Sequence, residues 1–316
     1  MENFTLSNGL SIPASGYGTG IANGISHHPL RIIKRLIKET AKRILRPGSL
    51  DGSHYTLAKD FRKDRMLKTV ARTIAQNGCR LFDTARAYSQ SESYLREAFG
   101  GWQGDFHRED FFIITKATNR AQREHTVMAD LEASLANLGT DYVDLYLLHW
   151  PQEGAYLDSW KVMEEIYASG KAKAIGVCNC HVHHLEALMS VAQVAPMVDE
   201  LECHPFLQQH EVRDYCRAHN IQLIAHTPTG KMSSSGSDIL RGISARLGVG
   251  VSQVILRWHY QMGDVSIPNS TNPAHALQNM NIWGFGLADG DMEAIRGLDC
   301  GKRIWPDPDN CDFNKL

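Results

Sequence analysis

The chain has no long run of apolar residues and no apolar core near its first residues. The first absence excludes a membrane-spanning helix, which needs about 20 consecutive apolar residues. The second predicts a protein that is not exported. A strong charge of either sign is missing too. With 33 Lys and Arg against 35 Asp and Glu the net charge is −2, and nothing in that balance favours nucleic acid or an acidic partner. The seven cysteines (Cys79, Cys178, Cys180, Cys203, Cys216, Cys300 and Cys311) are odd in number and scattered. They read as reduced thiols in the cytoplasm rather than a disulfide framework. No linker divides the 316 residues, of which 43% are hydrophobic, so one domain over residues 1–316 with a large core is expected.

A dinucleotide-binding glycine fingerprint is also lacking. Ser15-Gly16-Tyr17-Gly18-Thr19-Gly20 places glycines at every second position, without the wider spacing of a phosphate turn opening a helix. It reads instead as a strand whose glycines let another backbone approach. Before it, Phe4 to Pro13 reads as a hairpin, with Asn8-Gly9 supplying two positive φ angles.

From about residue 64 strands and helices alternate. Apolar runs at Arg80–Phe82, Phe111–Thr115, Val143–Leu148, Ala174–Val177, Met197–Leu201, Ile221–Ala225 and Val265–Ile267 read as strands, joining a first one near Tyr17. Between them Val127–Leu138, Ser159–Ser169, His184–Val191, Glu211–Ala218 and Ile239–Leu247 carry apolar residues at three- and four-residue steps. Eight parallel strands with intervening helices close into a (β/α)₈ barrel, the alternative being an open sheet.

In such a barrel, residues just beyond the strands' C-terminal ends share one mouth. Asp83, Tyr88, Lys116 and His149 all fall there. Singly, each has an ordinary explanation: a half-buried aromatic, a solvated lysine, a structural histidine. Together they are equipment for carbonyl reduction. An ammonium held by a carboxylate lowers the pKa of a nearby phenol, making Tyr88 a general acid, and His149 donates to a substrate carbonyl. The hydride must come from a nicotinamide cofactor.

These residues lie in FDTARAYSQSE, IITKA and YVDLYLLHWP. With GYGTG, WKVMEEIYASGKAKAIGVCN, ELECHPFLQQ, IPNST and RIWPDPDNCDF they make the sequence resemble the aldo-keto reductases, (β/α)₈ barrels that reduce aldehydes and ketones with NADPH or NADH. The resemblance covers most of the chain outside residues 21–63. By position it implies Asp83, Tyr88, Lys116 and His149 as the catalytic tetrad. It also implies nicotinamide contacts from Asn179, Cys178, Glu200 and His226, and contacts to the rest of the cofactor from Asn269, Ser270, His275, Gln278 and Asn279. Tyr17 and Trp150, beside His149, are expected to wall the substrate site, with Trp305 and Phe313 of the tail either folding over it or packing as ordinary surface residues.

Several of these positions depart from the family's pattern. Cys178 stands for serine; Glu200 stands for glutamine and is expected to accept but not donate; His226 replaces the stacking aromatic. Gly20 occupies a position often held by tryptophan, which opens the pocket. Asn269 and His275 replace the lysine and arginine that grip a 2′-phosphate, so comparable use of NADH and NADPH, or a preference for NADH, is expected. A cofactor-binding barrel with an interaction or regulatory role is the second reading of function.

The insertion at 21–63 carries ten Lys or Arg against three Asp or Glu. Within it Pro29–Arg46 patterns as a basic amphipathic helix. A lid over the barrel is expected, ahead of a protein or anionic-membrane contact. Cys178-Asn179-Cys180-His181-Val182-His183-His184 gathers metal-ligand types, but no second cluster at zinc spacing accompanies it, and no metal is expected. His210-Glu211 meets Asp214 where a zinc-protease helix carries its second histidine.

Overall fold

Ten short strands order the described residues: β1 (Asn3–Thr5), β2 (Ser11–Pro13), β3 (Tyr17–Gly18), β4 (Leu81–Asp83), β5 (Phe112–Ala117), β6 (Leu145–Leu148), β7 (Ile175–Cys178), β8 (Val198–Glu202), β9 (Gln222–His226) and β10 (Val265–Ile267). The computed structural model describes residues 2–20, 57–230 and 237–313. The basic helix expected at 29–46, and the insertion through residue 56, lie outside the described residues.

Strands β3 to β10 form one parallel sheet in chain order. Its two edges meet through a parallel bridge between Ser15 and Ser266, with Gly16 N donating to Ser266 O at 2.9 Å and Ser266 N to Ala14 O at 3.1 Å. The sheet is thus an eight-stranded barrel with helices in the connections, as expected. The glycines of β3 allow the seam: a Cβ on Gly18 would stand 3.0 Å from the main-chain oxygen of Ile267.

Each connecting helix forms because its apolar residues recur on one face. Val127–Leu138 buries Val127, Leu131, Ser134, Leu135 and Leu138 and ends on Gly139 in the left-handed region at φ 68, a conformation glycine adopts without steric cost. The first described helix, Leu57–Gln76, begins upstream of residue 64. Of its described side chains Leu67, Val70, Ala71 and Ile74 are buried. Strand bounds fall one or two residues later than expected at most positions.

β1 and β2 pair antiparallel, Phe4 opposite Ile12. The turn is not the two-residue type expected: only Gly9 has positive φ. Leu6 O accepts from Gly9 N and Leu6 N donates to Leu10 O, both at 2.9 Å, the three-residue loop with a glycine bulge. Asn8 is used otherwise, its amide donating to Lys173 O at 2.9 Å and its Oδ1 accepting from Leu10 N at 3.1 Å. Because Lys173 precedes β7, the hairpin covers the barrel end opposite the strands' C-termini.

Candidate active site

Strand register fixes which side chains share the barrel interior. Asp83 is level with Ile114, Lys116 with Leu147, Cys178 with Glu200, and Glu202 with His226. Since side chains alternate between faces, Asp83, Lys116, Cys178, Glu200, Glu202 and His226 all face inward near the C-terminal rim. Tyr17 is level with Phe82 and therefore lies on the outer, helix side. It is 2% exposed, packs edge-on against Phe82 and donates its hydroxyl to Ser270 O at 2.8 Å. The expectation that Tyr17 walls the substrate site is thus corrected by a single step of strand alternation.

Lys116 is fully buried and forms ion pairs with Asp83 and, at 3.3 Å, with Glu200 Oε1. It also donates to Thr84 O at 3.1 Å. Burial alone would lower the lysine pKa, but attraction from Asp83 and Glu200 outweighs it and holds the value well above the ordinary one. Two carboxylates around one ammonium cannot both ionise cheaply in a dry interior. Burial and then the neighbouring Asp83 push Glu200 up to about 8. The raised value favours the protonated carboxyl, whose side-chain hydrogen bond is made with Asp83.

Tyr88 OH lies 3.3 Å from His149 Nε2, and the two rings meet edge to face at 5.4 Å. Lys116 Nζ is 5.3 Å from the centre of the Tyr88 ring. Part of Tyr88 remains accessible, yet desolvation around its hydroxyl raises the phenol's pKa by more than Lys116 lowers it. The expected net lowering is overturned: burial outweighs the cation. His149 is held well below the ordinary histidine value by burial, then by Lys116 and His226, and stays neutral. The mouth thus presents a neutral phenol and a neutral imidazole backed by a buried positive charge.

Asn179 stands in the left-handed region at φ 59. It donates to His149 O at 3.0 Å, and its Oδ1 lies 3.1 Å from His226 Nε2. Burial lowers His226 to about 3, so this ring is neutral as well. Cys178 is buried, and its thiol is pushed well above the ordinary value by burial and then by Glu200. Glu200 Oε2 is buried and accepts from no other described side chain or main-chain donor, its carboxyl facing Asp83. The inward set of Cys178, Asn179, Glu200 and His226 therefore fits a nicotinamide.

Asn269 and Ser270 lie on the loop after β10, and His275, Gln278 and Asn279 on the helix Pro273–Met280. Asn269, His275 and Gln278 are exposed. Ser270 Oγ accepts from Asn272 N at 3.0 Å, and Gln278 donates to Gln253 at 3.3 Å. Gly20 lies against Tyr88, where an added Cβ would stand 3.6 Å from the ring. A side chain at this position would extend over the phenol, so glycine leaves that side open.

The C-terminal segment crosses the mouth. Ile304 N and Trp305 N donate to the Glu202 carboxylate at 2.7 and 2.9 Å, and Trp305 Nε1 donates to Thr227 Oγ1 at 2.8 Å. Thr227 is held at φ 52, a strained value for a β-branched residue. Phe313 packs edge-on at 6.3 Å against Trp150, the residue after His149. Trp305 and Phe313 thus both pack on residues that follow barrel strands. Glu202 and Thr227 fasten the tail, and nothing local in sequence links them to residues 304 and 305.

A sequence model described as the aldo/keto reductase family matches residues 50–299. Glyoxal reductase of Bacillus subtilis is 40% identical over 238 residues, covering 75% of this chain and 85% of that protein. Methylglyoxal reductase DkgA of Escherichia coli K12 is 34% identical over 246 residues, covering 76% and 87%. Among solved structures, an aldo-keto reductase of the silkworm Bombyx mori complexed with NADPH superposes with a TM-score of 0.77 at 30% identity, covering 96% of this chain and 90% of that one. The aldo-keto reductase MGS-M4, from a Medee basin deep-sea metagenome library, gives 0.80 at 30%, covering 98% and 99%.

Proposed function

This chain belongs to the aldo/keto reductase family, and from that premise we propose that it reduces a small aldehyde or ketone with NADPH or NADH, Tyr88 being the general acid. The 2-oxoaldehydes are the substrate class, on the strength of relatives that are glyoxal and methylglyoxal reductases. We place it in the cytoplasm, consistent with seven unpaired cysteines.

The contact between Tyr88 OH and His149 Nε2 carries the reading. Two donors side by side at the mouth define where a carbonyl oxygen sits. Asn179 and Glu200 would hold the nicotinamide carboxamide, with Cys178 and His226 beside them. When bound, the cofactor supplies the hydride. As charge grows on the carbonyl oxygen, His149 steadies it by hydrogen bonding and Tyr88 transfers its proton. Burial keeps the phenol protonated until that moment. Lys116 then faces the nascent phenolate and stabilises it, while Asp83 holds the ammonium in place.

The test follows NADPH and NADH consumption with methylglyoxal and with 4-nitrobenzaldehyde as a reactive probe. Wild type turns over at least one of them. Tyr88→Phe lowers kcat by about 10²–10⁴-fold while still binding cofactor in a fluorescence titration. A Tyr88→Phe enzyme within tenfold of wild type refutes the assignment of the acid. Absence of cofactor binding by wild type refutes the enzymatic reading itself and favours an interaction role.

A further inference from the structure

His181 and the first residues of the helix Val182–Met189 carry three imidazoles that the carbonyl chemistry does not use. In sequence they have no acidic companion. The fold brings one from 128 residues further along the chain: Asp309 Oδ2 lies 2.9 Å from His181 Nδ1. Asp309 Oδ1 lies 3.3 Å from His183 Nε2 and 3.7 Å from His184 Nε2. One ligand-type atom from each of the four residues lies within 4.8 Å of every other. In a tetrahedral site with metal–nitrogen and metal–oxygen bonds of about 2.0–2.1 Å, neighbouring ligand atoms stand about 3.3 Å apart. The histidine–carboxylate separations are already of that size.

We propose that His181, His183 and Asp309 form a binding site for a divalent transition metal of the zinc, cobalt or nickel kind, one that fastens the C-terminal segment to the barrel. Imidazole and carboxylate donors suit these ions better than calcium or magnesium, which take oxygen ligands. His184 flanks the ion without ligating it. Its Nδ1 accepts the main-chain N–H of His181 at 3.1 Å, which puts the neutral ring's proton on Nε2. Solvent completes the coordination. In the metal-free arrangement Arg303 Nη2 lies 3.3 Å from His181 Nε2, and His181 donates from Nδ1 to Asp309. Metal binding at Nδ1 moves that proton to Nε2, facing Asp307 Oδ1 at 4.0 Å, and Arg303 turns to its other partner, Asp307. A carboxylate behind a metal-bound imidazole is the usual outer partner.

The site lies between the tail's other anchors. Upstream, Glu202 and Thr227 hold residues 304 and 305; downstream, Phe313 meets Trp150. A metal at Asp309 would brace the segment that covers the mouth.

The test uses untagged, chelator-treated full-length protein titrated with Co²⁺ and read by its visible d–d absorption, with melting temperature followed in parallel. Wild type binds one equivalent with tetrahedral or five-coordinate bands and melts at a higher temperature. Asp309→Asn and His183→Ala each weaken binding by at least 10-fold, whereas His184→Asn changes it by less than 3-fold. Circular dichroism spectra matching wild type confirm that the variants are folded. Binding that survives Asp309→Asn undiminished belongs to other histidines of the chain and overturns the proposal, as does the absence of saturable binding below millimolar Co²⁺.

Discussion

Replacing Glu200 by glutamine should flatten the pH dependence of stability, and the size of the effect follows from the Lys116 cluster. Glu200 and Asp83 share one buried ammonium. The Glu200 pKa is pushed up to about 8 by burial and then by Asp83. Between its ordinary value of 4.5 and about 8, the folded protein holds a proton that the unfolded chain has released. Stability therefore falls as pH rises across that window, and the contribution is present in full only below it. The slope approaches about 1.4 kcal/mol per pH unit, so from pH 6 to pH 8 wild type should lose on the order of 2 kcal/mol that Glu200→Gln keeps. Glutamine preserves the shape, one donor and one acceptor, and does not titrate. The assay is urea denaturation of the cofactor-free protein at half-unit steps from pH 5.5 to 9, both proteins in one buffer series. Curves of midpoint against pH that run parallel would falsify the claim that Glu200 is protonated near neutrality.

Two further predictions concern the cofactor and the core. Asn269 and His275 provide no permanent cation for a 2′-phosphate, so kcat/KM for NADPH should exceed that for NADH by no more than about tenfold; Asn269→Lys combined with His275→Arg should move the ratio toward NADPH by at least about tenfold, about 1.4 kcal/mol. A wild-type NADPH preference above a hundredfold contradicts this. Separately, Asp264 accepts from Arg213 and lies 2.9 Å from His259 Nδ1, and burial of all three makes the cluster costly to break. Asp264→Ala should destabilise the fold by about 3–5 kcal/mol by leaving Arg213 an unpaired buried charge, read as a lowered urea midpoint; a loss below about 1 kcal/mol is the contrary result.

The barrel was legible because its strands are apolar runs separated by helices of regular period, and both signals are local. The convergence of Asp83, Lys116 and His149 on one rim was legible for the same reason: each closes an apolar strand or directly follows one. Tyr17 was misplaced because facing depends on register with β4, and a shift of one residue exchanges inside for outside. The turn after β1 was misread because Asn8, although a residue of tight turns, is committed by Lys173 O, which belongs to another part of the barrel. Asp309 could not be matched with His181 and His183 from spacing alone, since only the path of the tail brings them together.

The phenol of Tyr88 shows why the remaining gap is one of magnitude rather than identity. Naming Lys116 as its neighbour gives the sign of one contribution, and that sign is right: the ammonium lowers the Tyr88 pKa. Sequence does not say how dry the surroundings are, and desolvation is the larger effect. The outcome changes the chemistry assigned to Lys116. A phenol with a lowered pKa would be partly ionised at rest, and its phenolate form has no proton to give. A phenol raised by burial keeps its proton on nearly every molecule, and the favourable interaction with Lys116 is realised only as the proton leaves. With Tyr88 as the proposed acid, Lys116 would therefore stabilise the product of proton transfer more than the resting acid, the differential binding that accelerates a step, and Asp83 would serve by keeping a buried ammonium charged until then.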